Sequence, residues 1–405
     1  MTVLDPTTRR AGLLDAAEPD PDAHRGRHGP LPEIDLVTEL QRAGLTGRGG
    51  AAFPVWRKLA AVSPRTTGSA GPSTRSTFAR RRAAAATGPV LVANGAEGEP
   101  RSAKDRTLLT HGPHLVLDGL EAAARAVGAR RCVLLAHPDV VERVRPAAAE
   151  RGIAVVAGDG GFLDGEETAA VARIEGRPPV PADKTRRLVE RGIAVLNVET
   201  LAHIGLVARR GADWFRSAGT ADEPGTMLVT GPGGVGEVEL GTPLPEVLGE
   251  VRGPVLVGGF HGAWLAPGEV LRARLSRESL REFGAAPGAG VLHVPAPGRC
   301  GLVETAEITT FLAGASARQC GPCRNGLPAL ADLLHRLAAG HPHTAPEIAR
   351  ISALLTGRGA CHHPDGTVRL VRSALRVFAT DVDAHLRGGC LATGQSSPPH
   401  AEAPR

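Results

Sequence analysis

Between residues 89 and 175 short apolar runs alternate with amphipathic stretches, and this alternation restricts the fold more than any other feature of the chain. PVLVAN (89–94), CVLLAH (132–137) and IAVVAG (153–158) read as strands. HLVLDGLEAAARAVG (114–128), VVERVRPAAAERG (140–152) and Glu166–Glu175 carry a helical period. Strands that alternate with helices build an α/β layer, because each helix lays its apolar stripe on a sheet face. Aromatic residues make up only 3% of the chain, so the core has to be Ala, Val and Leu.

The pattern then changes twice. From Gly225, TMLVTGPGGVGEVELG reads as short strands around a glycine turn, followed by PLPEVLGEV as a helix and GPVLVGG as a strand. From Thr305, ITTFLAGASARQ, LPALADLLHRLAAG, PEIARISALLTG and SALRVFATDVDAHLRGG all have helical period. Four such stretches predict a C-terminal bundle with Cys320 and Cys323 between its first two helices. Residues 1–32 and 391–405 are expected as disordered tails and 63–88 as a flexible surface loop. No basic stripe interleaves with aromatics, so no nucleic-acid partner is expected. No apolar run reaches roughly 18 residues and no signal-peptide core opens the chain, which points to a cytoplasmic protein without membrane insertion.

Three groups of residues carry chemistry. Gly44-Leu45-Thr46-Gly47-Arg48-Gly49-Gly50, running on through Phe53 to Lys58, has the glycines of a phosphate loop, a point charge and an aromatic face. Two acidic clusters, Asn94–Pro100 after a strand and Gly165-Glu166-Glu167 opening a helix, suit polar ligand edges or helix caps. The third group is Cys320, Cys323 and Cys361. CGPC spells a dithiol, but a thioredoxin site wants a strand feeding it, and zinc wants a second close pair. Three thiolates converging across a bundle suit an iron–sulfur cluster, which normally takes four ligands. Gly231–Gly236 matches GxGxxG, yet EVELG alternates as a strand where the fingerprint needs a helix, so a hairpin is expected. Cys132, within a strand, reads as a buried core thiol. Only Lys58, Lys104 and Lys184 are lysine among 47 basic residues, which marks them as places that need a compact ammonium.

Taken in order, these segments resemble the FMN- and NADH-binding subunit of respiratory complex I, also called the F subunit of NADH-quinone oxidoreductase. That family includes the diaphorase subunits of NAD-linked hydrogenases and formate dehydrogenases. GLTGRGGAAFPVWRKL, NGAEGEPRSAKDR, GDGGFLDGEETAAVARIEG, LNVETLA and CGPCR with the later Cys361 are similar to its motifs, collinearly over residues 35–385. All three lysines fall where the family has lysine. The resemblance implies an FMN/NADH-binding Rossmann-like α/β domain over 33–221, a β-grasp module of the SLBB type over 222–290 and a helical iron–sulfur bundle over 300–390. It also implies FMN held by Gly47, Arg48, Gly49, Gly50, Lys58, Asn94, Glu97, Gly165, Glu166 and Asn197. Phe53, Glu99, Glu167 and Lys184 would hold NAD(H), and Cys320, Cys323 and Cys361 a [4Fe–4S] cluster. The implied partner is a [2Fe–2S] thioredoxin-like subunit or a ferredoxin-like acceptor, at the periphery of a membrane redox complex.

Departures from the family sit within the site. Ala96 replaces an Asp, Leu196 an Asn and Phe162 a Tyr, Ala61 and Arg187 replace stacking aromatics, and Ala317 replaces the first cluster cysteine. Two or three lost neutral hydrogen bonds, at about 0.5–1.5 kcal/mol each, would weaken FMN roughly ten- to a thousandfold. Cys300, Cys390, His362 or His363 is the expected source of a fourth cluster ligand, the alternative being an open iron. An NADH-oxidising flavoprotein is therefore set beside a second reading, a degenerate relative acting as an electron relay or assembly partner.

Overall fold

The computed structural model describes residues 12–63, 88–183, 187–392 and 395–396. Contacts divide the chain into two compact units, Met1–Thr242 and Pro243–Arg405, and the division falls within residues 222–290.

The first unit is a mixed α/β layer. Its sheet has four parallel strands, β1 (Val90–Gly95), β2 (Arg131–Ala136), β3 (Ala154–Ala157) and β4 (Ile193–Asn197), in the order β3-β2-β1-β4. Strand β1 is buried from Leu91 onward and apolar through Ala93, as a parallel strand covered on both faces must be. The helices are α1 (Pro21–His28), α2 (Leu36–Ala43), α3 (Val55–Val62), α4 (Lys104–His111), α5 (Pro113–Val127), α6 (Pro138–Ala149), α7 (Glu167–Ile174) and α8 (Val198–Arg216). Helices α5 and α8 meet backbone to backbone. A Cβ at Gly119 would lie 1.7 Å from the Leu201 carbonyl oxygen, so only glycine permits that crossing.

Residues 12–32 correct the expected disordered tail. Asp20 caps α1 by accepting from the Ala23 amide at 2.8 Å, while Leu13 and Ala16 are buried. The Leu13 and Leu14 amides each donate to Glu237 at 2.9 Å. His24 lies 2.7 Å from Asp118, which Arg151 and Arg209 also reach at 2.6 and 2.7 Å. Burial pushes the Asp118 carboxyl up, but these three partners outweigh it and hold it at about 2. A polar composition hid a segment that docks through buried polar contacts. Residues 1–11 and nearly all of the 63–88 loop lie outside the described residues.

The GxGxxG string forms a hairpin, as expected. Strands β5 (Thr226–Gly231) and β6 (Gly234–Glu239) pair antiparallel with Gly231 opposite Gly234, leaving Pro232-Gly233 as the turn. Cys132 sits on β2 beside the core, its thiol raised to about 11 by burial.

The second unit carries a three-stranded antiparallel sheet, β7 (Val255–Val257), β8 (Ala263–Leu265) and β9 (Leu292–His293), in the order β8-β7-β9. Three short helices accompany it, α9 (Leu244–Leu248), α10 (Pro267–Val270) and α11 (Arg277–Arg281). Then come α12 (Gly301–Gly314), a π-helical turn (Pro322–Gly326), α13 (Leu327–Ala338), α14 (Thr344–Leu355), α15 (His363–Val377) and α16 (Ala379–Leu386). Helix α12 packs on α13 and α15, and α14 on α13 and α15, around Leu302, Leu327, Leu330, Leu334 and Val371. The stretch expected as one helix near 373–389 is two, because the chain turns at Phe378, whose ring lies 5.1 Å from that of buried Trp264. The C-terminal tail expected from 391 contains a further pairing, Cys390 opposite Gln395, and residues 397–405 lie outside the described residues. No helix among the described residues is long and apolar enough to cross a membrane.

Candidate functional site

Strand β1 has β2 on one side and β4 on the other, so the strand order reverses between β1 and β4. At such a switch point the connections leave in opposite directions and open a crevice at the carboxyl ends of the strands. The sequence motifs of the first unit meet there. Asn94 and Asn197 end β1 and β4 as direct register partners. Asn197 donates to the Asn94 carbonyl at 3.3 Å, and Asn94 donates to the Gly165 carbonyl at 3.0 Å.

The glycine-rich segment enters from α2. A bridge between Thr46 and Pro54, with Gly47 N donating to the Phe53 carbonyl at 3.0 Å, closes it into a loop. Gly49 lies against Asn197, where a Cβ would approach the Asn197 Cβ to 3.4 Å. Gly50 and Ala52 have φ of 96° and 49°, the alternation that turns successive amides toward one side. Phe53 remains 49% exposed beside this loop, an aromatic face presented to solvent. Lys58, one turn into α3, donates to the Val195 carbonyl of β4 at 2.9 Å and pairs with Glu167 at the start of α7. Gly98 packs so closely on the next wall that a Cβ would lie 2.6 Å from the Gly161 and Phe162 carbonyls.

Several expected ligand contacts are committed elsewhere. The Arg48 guanidinium is buried and donates to the carbonyls of Thr46, Pro224 and Thr226, and its amide donates to Thr200 Oγ1 at 2.8 Å, so neither is left for a ligand. Glu97 accepts from Ser102 Oγ, the Asp105 amide and both the amide and Nε of Arg106, which caps α4. Glu166 accepts from the Thr168 and Ala169 amides as the N-cap of α7. Glu99 accepts from the Arg101 amide at 3.3 Å. Ala96 packs with Leu135 and Ala170, and Leu196 lies in the main core, so neither position presents a polar atom. Lys184 lies outside the described residues.

Behind the crevice is a buried ionic cluster whose role the sequence did not give. Lys104 is 3% exposed and binds Asp105 at 2.7 Å, Glu199 at 2.8 Å and Asn197 at 3.3 Å. Glu199 also accepts from the Leu228 amide at 2.7 Å, which ties the hairpin to this point. Burial works against the Lys104 ammonium, yet Asp105 and Glu199 outweigh it and raise its pKa. Burial pushes Asp105 up, Lys104 pulls it down and Glu97 pushes it up again, leaving it at about 6. Lys104 thus supports the crevice floor through Asn197 and does not face a ligand anion. The paired residues in KDR and VETL were the only signal for it.

The thiols of the second unit form another constellation. Cys320 lies in the loop after α12, Cys323 in the π-helical turn, and Cys361 just before α15. Cys323 is 2% exposed; burial, a hydrogen bond with Cys320 and the nearby Cys361 push its thiol up to about 12. A cation that holds these sulfurs as thiolates would relieve that repulsion. None of the six cysteines is in a disulfide. The helical setting excludes a thioredoxin site. The Ser316 hydroxyl, 2.9 Å from the Ala313 carbonyl, faces Cys323. The residues expected to supply a fourth cluster ligand are engaged elsewhere. His363 shares a hydrogen bond with the Leu312 carbonyl at 2.8 Å, His362 is exposed near Asp365, and Cys300 meets Cys390 and His385.

Comparison with known proteins finds a match over each of the two stretches that hold these constellations. The family model described as the Nuo51 FMN-binding domain matches residues 40–206, and that of the NADH-ubiquinone oxidoreductase-F iron–sulfur binding region matches 304–385. The NADH-quinone oxidoreductase F subunit of Mycobacterium bovis is 30% identical over 402 residues, covering 89% of this chain and 86% of that protein. The mitochondrial NADH dehydrogenase [ubiquinone] flavoprotein 1 of Dictyostelium discoideum is 28% identical, covering 87% and 79%. Among solved structures, an NAD+-reducing [NiFe]-hydrogenase in its H2-reduced state matches with a TM-score of 0.76 at 26% identity. That match covers 88% of this chain and 63% of the hydrogenase chain, so the chain spans less than two thirds of that relative.

Proposed function

Because the chain belongs to the family of NADH-quinone oxidoreductase F subunits, we propose that its FMN lies in the crevice at the carboxyl ends of β1 and β4, with NADH on the outer side. The chain carries an FMN-binding domain and a 4Fe–4S-binding region, as an NADH-oxidising flavoprotein subunit does. The observation that supports this placement is the convergence of Gly49, Lys58, Asn94, Gly165 and Asn197 at one switch point.

Bound FMN would take the hydride of NADH and pass its electrons on singly. The chain's own part is to bind and orient. The amides of Gly49 and Ala51 would receive the flavin phosphate, and Lys58 would neutralise it, exchanging Glu167 for the phosphate oxygens. Phe53 offers a stacking face to the nucleotide, whose polar edges fall to Glu99, Glu167 and Lys184. Glu97, Glu166, Asn94 and Asn197 act one layer out, fixing the helix starts and strand ends that shape the walls. Cys320, Cys323 and Cys361 would ligate the cluster, and the Ser316 hydroxyl beside Cys323 is an oxygen donor one residue from Ala317.

Relatives are named as subunits, and partners follow from that. We assign the electron acceptor to a [2Fe–2S] thioredoxin-like subunit or a ferredoxin-like protein, with the chain cytoplasmic and peripheral to a membrane redox complex. The order of hairpin, short helix and strands over 222–290 supports a β-grasp module, and the helices over 300–390 a four-helix iron–sulfur bundle closed off by α16. The apolar surroundings of Ala96 and Leu196 favour the second reading, a relay without flavin turnover. Anaerobic titration of FMN-loaded protein with NADH separates the two: loss of the oxidised-flavin absorption supports NADH oxidation, and unchanged flavin with a reducible cluster supports the relay.

A further inference from the structure

Cys300, His385 and Cys390 sit in the second unit, and nothing in the flavin and cluster reading uses them together. Their ligand atoms all lie within 4.8 Å of one another. Cys300 Sγ and His385 Nε2 are 3.4 Å apart. A tetrahedral zinc ion with Zn–S near 2.3 Å and Zn–N near 2.0–2.1 Å spaces a sulfur and a nitrogen by about 3.5 Å and two sulfurs by about 3.8 Å. The Cys300–His385 edge therefore already has the dimension of such a site, and the other two edges, within 4.8 Å, lie within a small adjustment of it.

The imidazole is also set in the tautomer a metal requires. His385 Nδ1 lies 2.5 Å from the Ala338 carbonyl oxygen, an acceptor only, so Nδ1 carries the proton and the Nε2 lone pair points toward Cys300. Cys300 is the N-cap of α12, and the amides of Leu302 and Val303 face its sulfur without closing a regular cap. Those amides and the helix dipole favour a thiolate there.

We propose that Cys300, His385 and Cys390 form a zinc-type metal site distinct from the iron–sulfur ligands, with water or an exogenous donor in the fourth position. Binding displaces one proton from each thiol, and the two thiolates neutralise the dication, so the loaded site is uncharged and suits a half-buried position. The metal ties the start of α12, the end of α16 and the strand at Cys390, fastening the C-terminal segment to the bundle. The neutral imidazole and paired thiols make zinc a better occupant than a hard cation such as magnesium.

The test uses the full chain purified under reducing conditions, incubated with zinc and freed of loose metal by gel filtration. Metal analysis should find a stoichiometric zinc in the wild type that is lost in Cys390→Ser and His385→Ala, while iron content stays unchanged in both. X-ray absorption at the zinc edge, which iron does not disturb, reads the donors of the unmodified protein even if a variant folds poorly. Two sulfurs at about 2.3 Å and nitrogen or oxygen at about 2.0 Å are expected. Three or more sulfurs, or none, would overturn the proposal. So would zinc undiminished in both variants, iron lost with it, or a Cys300–Cys390 disulfide in the peptide map.

Discussion

Replacing Lys104 by Met tests whether the crevice rests on a buried charge cluster. The side chain keeps its length and loses its ammonium, leaving Asp105 and Glu199, 5% and 0% exposed, without their common partner. Removing one member of a buried ion pair costs about 3–5 kcal/mol, because the remaining charge has no compensation. With an m-value of about 2 kcal/mol/M in urea, that lowers the unfolding midpoint by about 2 M. The loss must also depend on pH. Asp105 at about 6 binds its proton more tightly folded than unfolded. Its contribution to stability is therefore fully present below about pH 4 and is lost as pH rises through 6. Without Lys104 its pKa rises further, so the variant should be hurt most at pH 8 and least at pH 5, where the carboxyls take up protons. Trp56 and Trp214 lie in the first unit and Trp264 in the second, so urea titrations followed by fluorescence in a Trp264→Phe background report on the right unit. A loss under about 1 kcal/mol, or one equal at pH 5 and pH 8, would refute the reasoning.

Two further outcomes follow from packing and sulfur chemistry. Gly119→Ala should destabilise the first unit by about 3 kcal/mol or more, because a methyl group cannot share space with the Leu201 carbonyl; a wild-type thermal melting curve would contradict it. Cys361→Ser should lower bound iron and labile sulfide well below wild type and change the reduced electron paramagnetic resonance spectrum. Full iron with an unaltered spectrum would remove Cys361 from the ligand set.

The parallel layer was legible because strand and helix periods differ and each run was long enough to show its own. The hairpin was legible because EVELG alternates where a dinucleotide fold would start a helix. Helix α1 and the turn before it were missed because Asp20-Pro21-Asp22 reads as polar tail, and their docking depends on Asp118 for α1 and Glu237 for the turn, far along the chain. Lys58 could be placed beside the glycine loop, since both belong to one local segment. The setting of Lys104 could not, because its burial depends on Glu199, 95 residues away. Glu97 and Glu166 show the same limit: a carboxylate at a strand end or helix start has one spelling whether it meets a ligand or caps a helix. Cys300 and His385 are 85 residues apart and match no spacing pattern, so only the fold brings them together.

The central claim, that the flavin phosphate is received at the switch point by the glycine loop and Lys58, is tested most directly by FMN affinity. Apo-protein titrated with FMN should bind it, and Lys58→Met should weaken binding about 10- to 150-fold, the equivalent of one charge-assisted contact of about 1.5–3 kcal/mol. Glu167→Gln, which releases Lys58 from its pair, should not weaken it and should tighten it. Affinity within twofold of wild type in Lys58→Met would place the phosphate elsewhere and contradict the account.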